Sequence, residues 1–277
     1  MIKRRAIIAT VASLAFFGHC GNVTVVKPAH AQEGAAKPAP VLPSMAGETV
    51  LVAGATGRVG KVAVELLKAQ GVKVKGFSRN IDKAKEEVKD VQWVKADVRD
   101  PKTLKNITKG VDRIIFAVGS NSFKDNTNTP DLVDNKGVAV LVDEARKTGV
   151  KQFVLISSVG VTRPNVAEGT DFQKVMAKVL SNKLEGENYL RASGLNYTVI
   201  RPVGLWNRDG GQNPIGIMQG DVEVPGMITR ADVAAVAVNA LVNPDAKGKT
   251  VTIFNVTHPQ LDGWKSAFAG IPADAKN

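Results

Sequence analysis

Residues 49–70, TVLVAGATGRVGKVAVELLKAQ, are the stretch from which the rest of the chain can be read. Four apolar residues, Val50 to Ala53, run into three glycines at fixed spacing: Gly54, Gly57 and Gly60. Val59, Val62, Ala63, Leu66 and Leu67 then recur at helical intervals. The order is strand, glycine-rich turn, helix, the context in which such a triplet cradles a dinucleotide. Gly54 takes backbone angles closed to other residues as the strand reverses into the helix. Gly57 lets the backbone approach a pyrophosphate with no Cβ between, and Gly60 lets the helix lie close on the sheet. The helix N-terminus offers free amides and a partial positive charge. Thr56 adds a hydroxyl and Arg58 a charge. The plainer alternative is a loop that only makes a tight turn.

Outward from this unit, apolar runs alternate with helical patterns. Strands are expected at residues 72–77, 91–94, 112–118, 152–158, 197–200 and 250–255. Helices are expected over 131–148, 171–192, 229 to about 241, and 264–268. Strict alternation implies an α/β chain with one doubly wound parallel sheet of the Rossmann type. It would form a single domain over 48–277 with a small C-terminal substrate-side portion. Residues 204–226, rich in Gly and Asn, read as a flap on that side.

Several residues fall where such sheets bind ligands, at the carboxyl ends of the strands. No acid stands between Lys73 and Ile81 to accept ribose hydroxyls, whereas Arg79 suits a 2′-phosphate. NADP is therefore expected over NAD; the alternative for Arg79 is an exposed strand end. Asp97, in Ala96-Asp97-Val98, is either an acceptor at the adenine edge or a cap for the segment 101–108. Ala117 and Gly119 are small enough for a ribose to lie against the fourth strand's end. Ser157-Ser158 places hydroxyls at the fifth strand's edge, for a ligand or as a structural cap.

The chain has 277 residues, 44% hydrophobic but only 5% aromatic, which suits a Val-rich core of buried parallel strands. Its net charge is +11, of which +4 lies in residues 1–31. The remaining basic residues are spread out and not interleaved with aromatics, which argues against nucleic acid as a partner. The single cysteine, Cys20, and two of three histidines lie in the same N-terminal segment. No metal site is expected in the remainder, nor a disulfide.

Residues 1–31 read as an export signal. Lys3, Arg4 and Arg5 precede an apolar run, and Ala29-His30-Ala31 ends it with cleavage near Ala31. The run is too short for a bilayer span, so no stable membrane anchor is expected after cleavage. Arg4-Arg5 fits a twin-arginine signal or an ordinary one; either implies a periplasmic protein. Residues 32–47 read as an Ala/Pro-rich linker.

Taken together, the chain resembles an atypical short-chain dehydrogenase/reductase of the NmrA-like, NAD(P)-binding type. The resemblance spans residues 48–269. It rests on Gly54-Ala-Thr-Gly57-Arg-Val-Gly60, Ala96-Asp97-Val98, Ser157-Ser158, Lys183-x-x-x-Glu187, residues 193–202 and Thr229-Arg230-Ala231-Asp232-Val233-Ala234. It implies phosphate contacts at Gly54, Thr56, Gly57, Arg58, Val59 and Gly60, and a 2′-phosphate contact at Arg79. Asp97 and Val98 would meet the adenine, and Ala117 and Gly119 a ribose. Ser157 would lie near the nicotinamide and Lys183 would bond its ribose, these two being the candidate catalytic residues.

One departure matters. The usual dyad is Tyr-x-x-x-Lys, with the tyrosine as general acid. Here Val179 stands four residues before Lys183. Alcohol–ketone chemistry is thereby disfavoured, while reduction of a flavin, quinone or other conjugated small-molecule acceptor needs no tyrosine. The alternatives are an NADP-binding redox sensor or scaffold without turnover and, third, a sugar-nucleotide epimerase or dehydratase.

Overall fold

A computed structural model describes residues 41–121, 125–163, 169–256 and 263–275. The expected export signal and most of the expected linker lie outside these residues. The elements are β1 (Thr49–Ala53), α1 (Arg58–Lys68), β2 (Lys73–Ser78), α2 (Ile81–Glu87), β3 (Gln92–Lys95), α3 (Pro101–Leu104) and β4 (Arg113–Phe116). A π-helical turn (Asp131–Asn135) leads into α4 (Lys136–Thr148), followed by β5 (Gln152–Ile156), α5 (Asp171–Ala192) and β6 (Tyr197–Pro202). The chain closes with β7 (Gly204–Trp206), β8 (Ile215–Gln219), β9 (Met227–Thr229), α6 (Arg230–Val242), β10 (Lys249–Asn255) and α7 (Trp264–Ala267).

Eight strands form one sheet in the order β3-β2-β1-β4-β5-β6-β10-β8. The direction of winding reverses between β1 and β4, whose register pairs Val50 with Arg113 and Ala53 with Phe116. Crevices at such a reversal are where open α/β sheets bind ligands. Successive residues of each inner strand feed opposite faces. Val50, Val52, Ile115, Val154 and Ile200 pack on the side of α1 and α6. Leu51, Ala53, Ile114, Phe116, Phe153 and Val199 pack on the side of α4. Both faces are covered, which is why the strands read as unbroken apolar runs.

The expected Rossmann sheet is present, with three differences. The edge strand β8 is antiparallel to β10, so the sheet is mostly and not wholly parallel. It lies inside the segment expected to be a flap. Its Gly216 faces the Phe254 ring, where a Cβ would come within 2.5 Å of ring carbons, so the glycine serves packing rather than a loop. The same segment also holds β7, which pairs with β9 in a separate small parallel ribbon. Helix α2 was not anticipated: its sequence IDKAKEE buries only Ala84 and has no apolar stripe to signal it.

Packing begins upstream of the glycine turn. Met45 is 2% exposed and belongs to the core on the α1 side. Its carbonyl accepts from the Glu48 amide at 2.9 Å, and the Gly47 amide donates to Gly71 O at 3.1 Å. The last residues of the expected linker are thus part of the domain. At the other end Asp274 accepts from the Tyr197 hydroxyl (2.9 Å) and the Thr250 amide (3.0 Å), fastening the tail to β6 and β10. No helix among the described residues is long and apolar enough to cross a membrane.

Candidate functional site

The turn after β1 has the geometry its glycines imply. Gly54 sits at φ +88°, and a Cβ there would lie 2.8 Å from Ala117 O. Its carbonyl accepts from the Gly57 amide at 2.8 Å. A Cβ on Gly60 would come within 2.0 Å of that same carbonyl, so any side chain would push α1 off the turn. On Gly57 it would meet only Gly54 O, at 3.0 Å, leaving the outer face open. The first helical bond in α1 runs from the Lys61 amide to Gly57 O at 2.8 Å, so the amides of Arg58, Val59 and Gly60 precede it. Among the described residues no side chain caps this end. The cradle therefore fits an anion, and a dinucleotide diphosphate is the group its spacing suits.

A cleft of about 180 Å³ adjoins the turn. Gly54, Thr56, Arg79, Asp97 and Val98 all line it, so five of the sequence-derived candidates converge. Arg99, not anticipated, lines it too. Its guanidinium grips Asp97 at 2.6–3.1 Å through Nε and Nη2. The Arg99 hydrogen bonds hold the Asp97 carboxyl below its ordinary value, against the opposing effect of burial. Asp97 does not cap the following helix; Asp100 does, accepting from the Lys102 amide at 3.0 Å. Arg79 is 58% exposed, with its Nη1 3.8 Å from Asp125.

A second cluster lies past Gly119. A Cβ on Gly119 would stand 3.9 Å from Lys183 Nζ and 4.0 Å from Asp134 Oδ1. Lys183 is not the exposed helix lysine it might have been: its ammonium donates to Asp134 Oδ1 at 2.7 Å, with side chains 16% and 1% exposed. Asp134 Oδ2 accepts from the Ser120 amide at 3.3 Å. Ser157, Lys183 and Asp134 line one small cavity. The Ser157 hydroxyl is buried with no hydrogen-bond partner among the described residues. Buried hydroxyls are normally paired, so an unpaired one calls for a ligand or a water.

Local backbone features bring this cluster together. Asp134 lies in the π turn, a distortion often found at functional sites. Helix α5 crosses that turn at Gly186, where a Cβ would sit 2.3 Å from Asp134 O. One turn from Lys183, the fully buried Glu187 accepts from Arg201 Nε at 3.1 Å and Arg191 Nη1 at 3.0 Å, locking α5 to β6. The Thr170/Gln173 capping box fixes where the helix starts.

Neither tyrosine can stand in for the missing one. Tyr189 donates to Asp143 at 2.8 Å, and Tyr197 to Asp274 at 2.9 Å. Burial, reinforced by Asp274, pushes the Tyr197 hydroxyl far above its ordinary value. Asp134 was missed from sequence although it shares the stripe of Val138, Leu141 and Ala145; an acid at a core-facing position was the available signal. Among the described residues no group of three His, Cys, Asp or Glu is placed to hold a metal.

The NAD(P)H-binding family model matches residues 54–244. The chain belongs to that family. An uncharacterized chloroplastic protein of Arabidopsis thaliana is 36% identical over 80% of this chain and 82% of its own length. The sanguinarine reductase of Eschscholzia californica is 32% identical over 73% of this chain and 86% of its own. Among solved structures, a candidate NAD-dependent epimerase/dehydratase of Bacillus halodurans superposes with a TM-score of 0.67 at 27% identity, covering 80% of this chain and all of that one.

Proposed function

We propose that the protein is an NADPH-dependent reductase of a flavin, a quinone or another conjugated small molecule. The observation that carries the reading is the Ser157 hydroxyl, unpartnered among the described residues, in one cavity with the Lys183–Asp134 pair and with Val118, which also lines the nucleotide cleft. The sanguinarine reductase relationship supports a reductase of this kind. The amides at the start of α1 would hold the diphosphate, Arg79 the 2′-phosphate, and Asp97 and Val98 the adenine. When bound, the reduced nicotinamide supplies a hydride.

The chain's own residues would then orient the acceptor and handle the proton. Ser157 Oγ would donate a hydrogen bond to an acceptor oxygen or nitrogen, favouring the charge that grows there on reduction. Lys183, held by Asp134, would bond the nicotinamide ribose and keep a fixed positive charge beside the site. The proton that completes the reduction would come from water, because both tyrosines are committed elsewhere. With the leader removed, the enzyme would work in the periplasm, and a twin-arginine route would deliver it already folded around its cofactor. N-terminal sequencing of the mature protein checks that placement.

The functional test is NADPH consumption by the purified protein against FMN, naphthoquinones and benzoquinones. Turnover with one class, lost in Ser157→Ala, supports the reading. NADPH that raises the melting temperature while no acceptor is consumed would favour the redox sensor instead.

A further inference from the structure

Three charged side chains, Arg79, Asp97 and Arg99, line the cleft, and a fourth, Asp125, faces both arginines, an arrangement the nucleotide reading leaves unexplained. Arg79 follows β2 and Arg99 lies beyond β3, so two guanidiniums converge from adjacent strands. Asp97 takes up Nε and Nη2 of Arg99. The remaining Nη1 donates to Thr127 Oγ1 at 2.7 Å and faces Asp125 Oδ2 at 3.7 Å. Arg79 Nη1 approaches the same Oδ2 at 3.8 Å. One carboxylate oxygen is therefore shared by two arginines. The other, Oδ1, is pinned by the Thr127 amide (2.9 Å) and hydroxyl (2.6 Å), which aims Oδ2 at the fork. The Asp125 carboxyl is held below its ordinary value, first by the Thr127 hydroxyl and amide and then, weakly, by Arg99 and Arg79.

We propose that Asp125 is an internal anion seated in the arginine fork that a 2′-phosphate would occupy, and that it sets the choice between NADPH and NADH. This rests on the nucleotide reading above. Separations of 3.7 and 3.8 Å are too long for direct hydrogen bonds, so Asp125 neutralises the fork without filling it. A 2′-phosphate brings about two negative charges into a place where Asp97 and Asp125 already balance both arginines. It must displace Asp125 or bind against its repulsion. A 2′-hydroxyl carries no such charge and can donate a hydrogen bond to a nearby carboxylate. Asp125 thus weakens NADPH binding selectively and narrows the preference for NADPH that Arg79 alone would give.

The test compares the wild-type protein with Asp125→Asn, which keeps the shape and the Oδ1 acceptor for Thr127. Affinities for NADPH and NADH are measured by titration calorimetry, alongside 2′,5′-ADP and 5′-AMP, which isolate the 2′-phosphate from the rest of the cofactor. The variant should bind NADPH and 2′,5′-ADP about three- to tenfold more tightly, the range expected for relieving partly exposed charge contacts. NADH and 5′-AMP should change by less than about twofold on the same grounds. Arg79→Ala should weaken 2′,5′-ADP and change 5′-AMP by less than about twofold. Equal shifts for both members of a pair, or none, overturn the proposal while leaving the nucleotide site intact. A wild-type protein that binds none of the four probes overturns both.

Discussion

Removing Lys183 should destabilise the protein more than removing Asp134, although the two form one ion pair. The asymmetry comes from burial. In Lys183→Met the Asp134 carboxylate, 1% exposed, is left with the Ser120 amide at 3.3 Å as its remaining donor. A buried charge stripped of its partner costs about 3–5 kcal/mol, and the retained amide bond points to the lower end, about 3 kcal/mol. In Asp134→Asn the Lys183 side chain, 16% exposed, can turn toward water, and the amide oxygen still accepts from it. That variant should lose about 1 kcal/mol, the worth of a weakened hydrogen bond. For a domain of this size, melting temperatures should fall by about 6–12 °C and 2–4 °C respectively. The double variant should recover part of the Lys183→Met loss, since no buried charge remains. Urea unfolding at neutral pH, with slopes checked for constancy, measures all three. Equal losses, the reverse order, or both below about 0.5 kcal/mol would show that the pair is a solvated contact and that Lys183 is not held by it.

Three further outcomes are expected. Tyr189→Phe and Tyr197→Phe should each keep reductase turnover within about twofold, with Tyr197→Phe losing about 1 kcal/mol of stability for its bond to Asp274; loss of turnover in a folded variant would reinstate a tyrosine acid. Gly57→Val should fold, because an added Cβ would meet only Gly54 O, at 3.0 Å, yet it should abolish NADPH-induced thermal stabilisation; unchanged stabilisation would refute the cradle. Asp97 titrates below its ordinary value chiefly because of Arg99, so its stabilising effect is present above the unfolded pKa near 3.9 and fades as pH falls through the lower folded value. The stability gap between wild type and Arg99→Ala should accordingly be constant above about pH 4 and close as pH falls below it; a gap independent of pH would remove the pair as its cause.

How far the sequence could be read follows from how each element is held. The β1–α1 unit was legible because glycine chemistry and apolar periodicity both act within a few residues. Helix α5 was legible from end to end, since its capping box and apolar spacing are local. Helix α2 was invisible because a charged helix with one buried alanine leaves no periodic trace. Strand β8 was hidden by Gly216, whose reason is Phe254, nearly forty residues away. That Gly54, Thr56, Arg79, Asp97 and Val98 would share one cleft was legible because they sit at strand ends in fixed motifs. Asp134 and Arg99 were not, because each owes its role to a partner brought near by the fold or by the turn after β3.

Met45 carries a practical consequence. A recombinant fragment started at Glu48, where the recognisable motif opens, would discard a side chain sealed against α1 and leave a hole beside Leu66 and Val242. Losing a buried methionine costs about 2–5 kcal/mol, a large share of what a domain has to spare. Such a fragment would express as a weakened protein whose poor nucleotide binding could be blamed on the cleft, although the fault lay at the other end of α1.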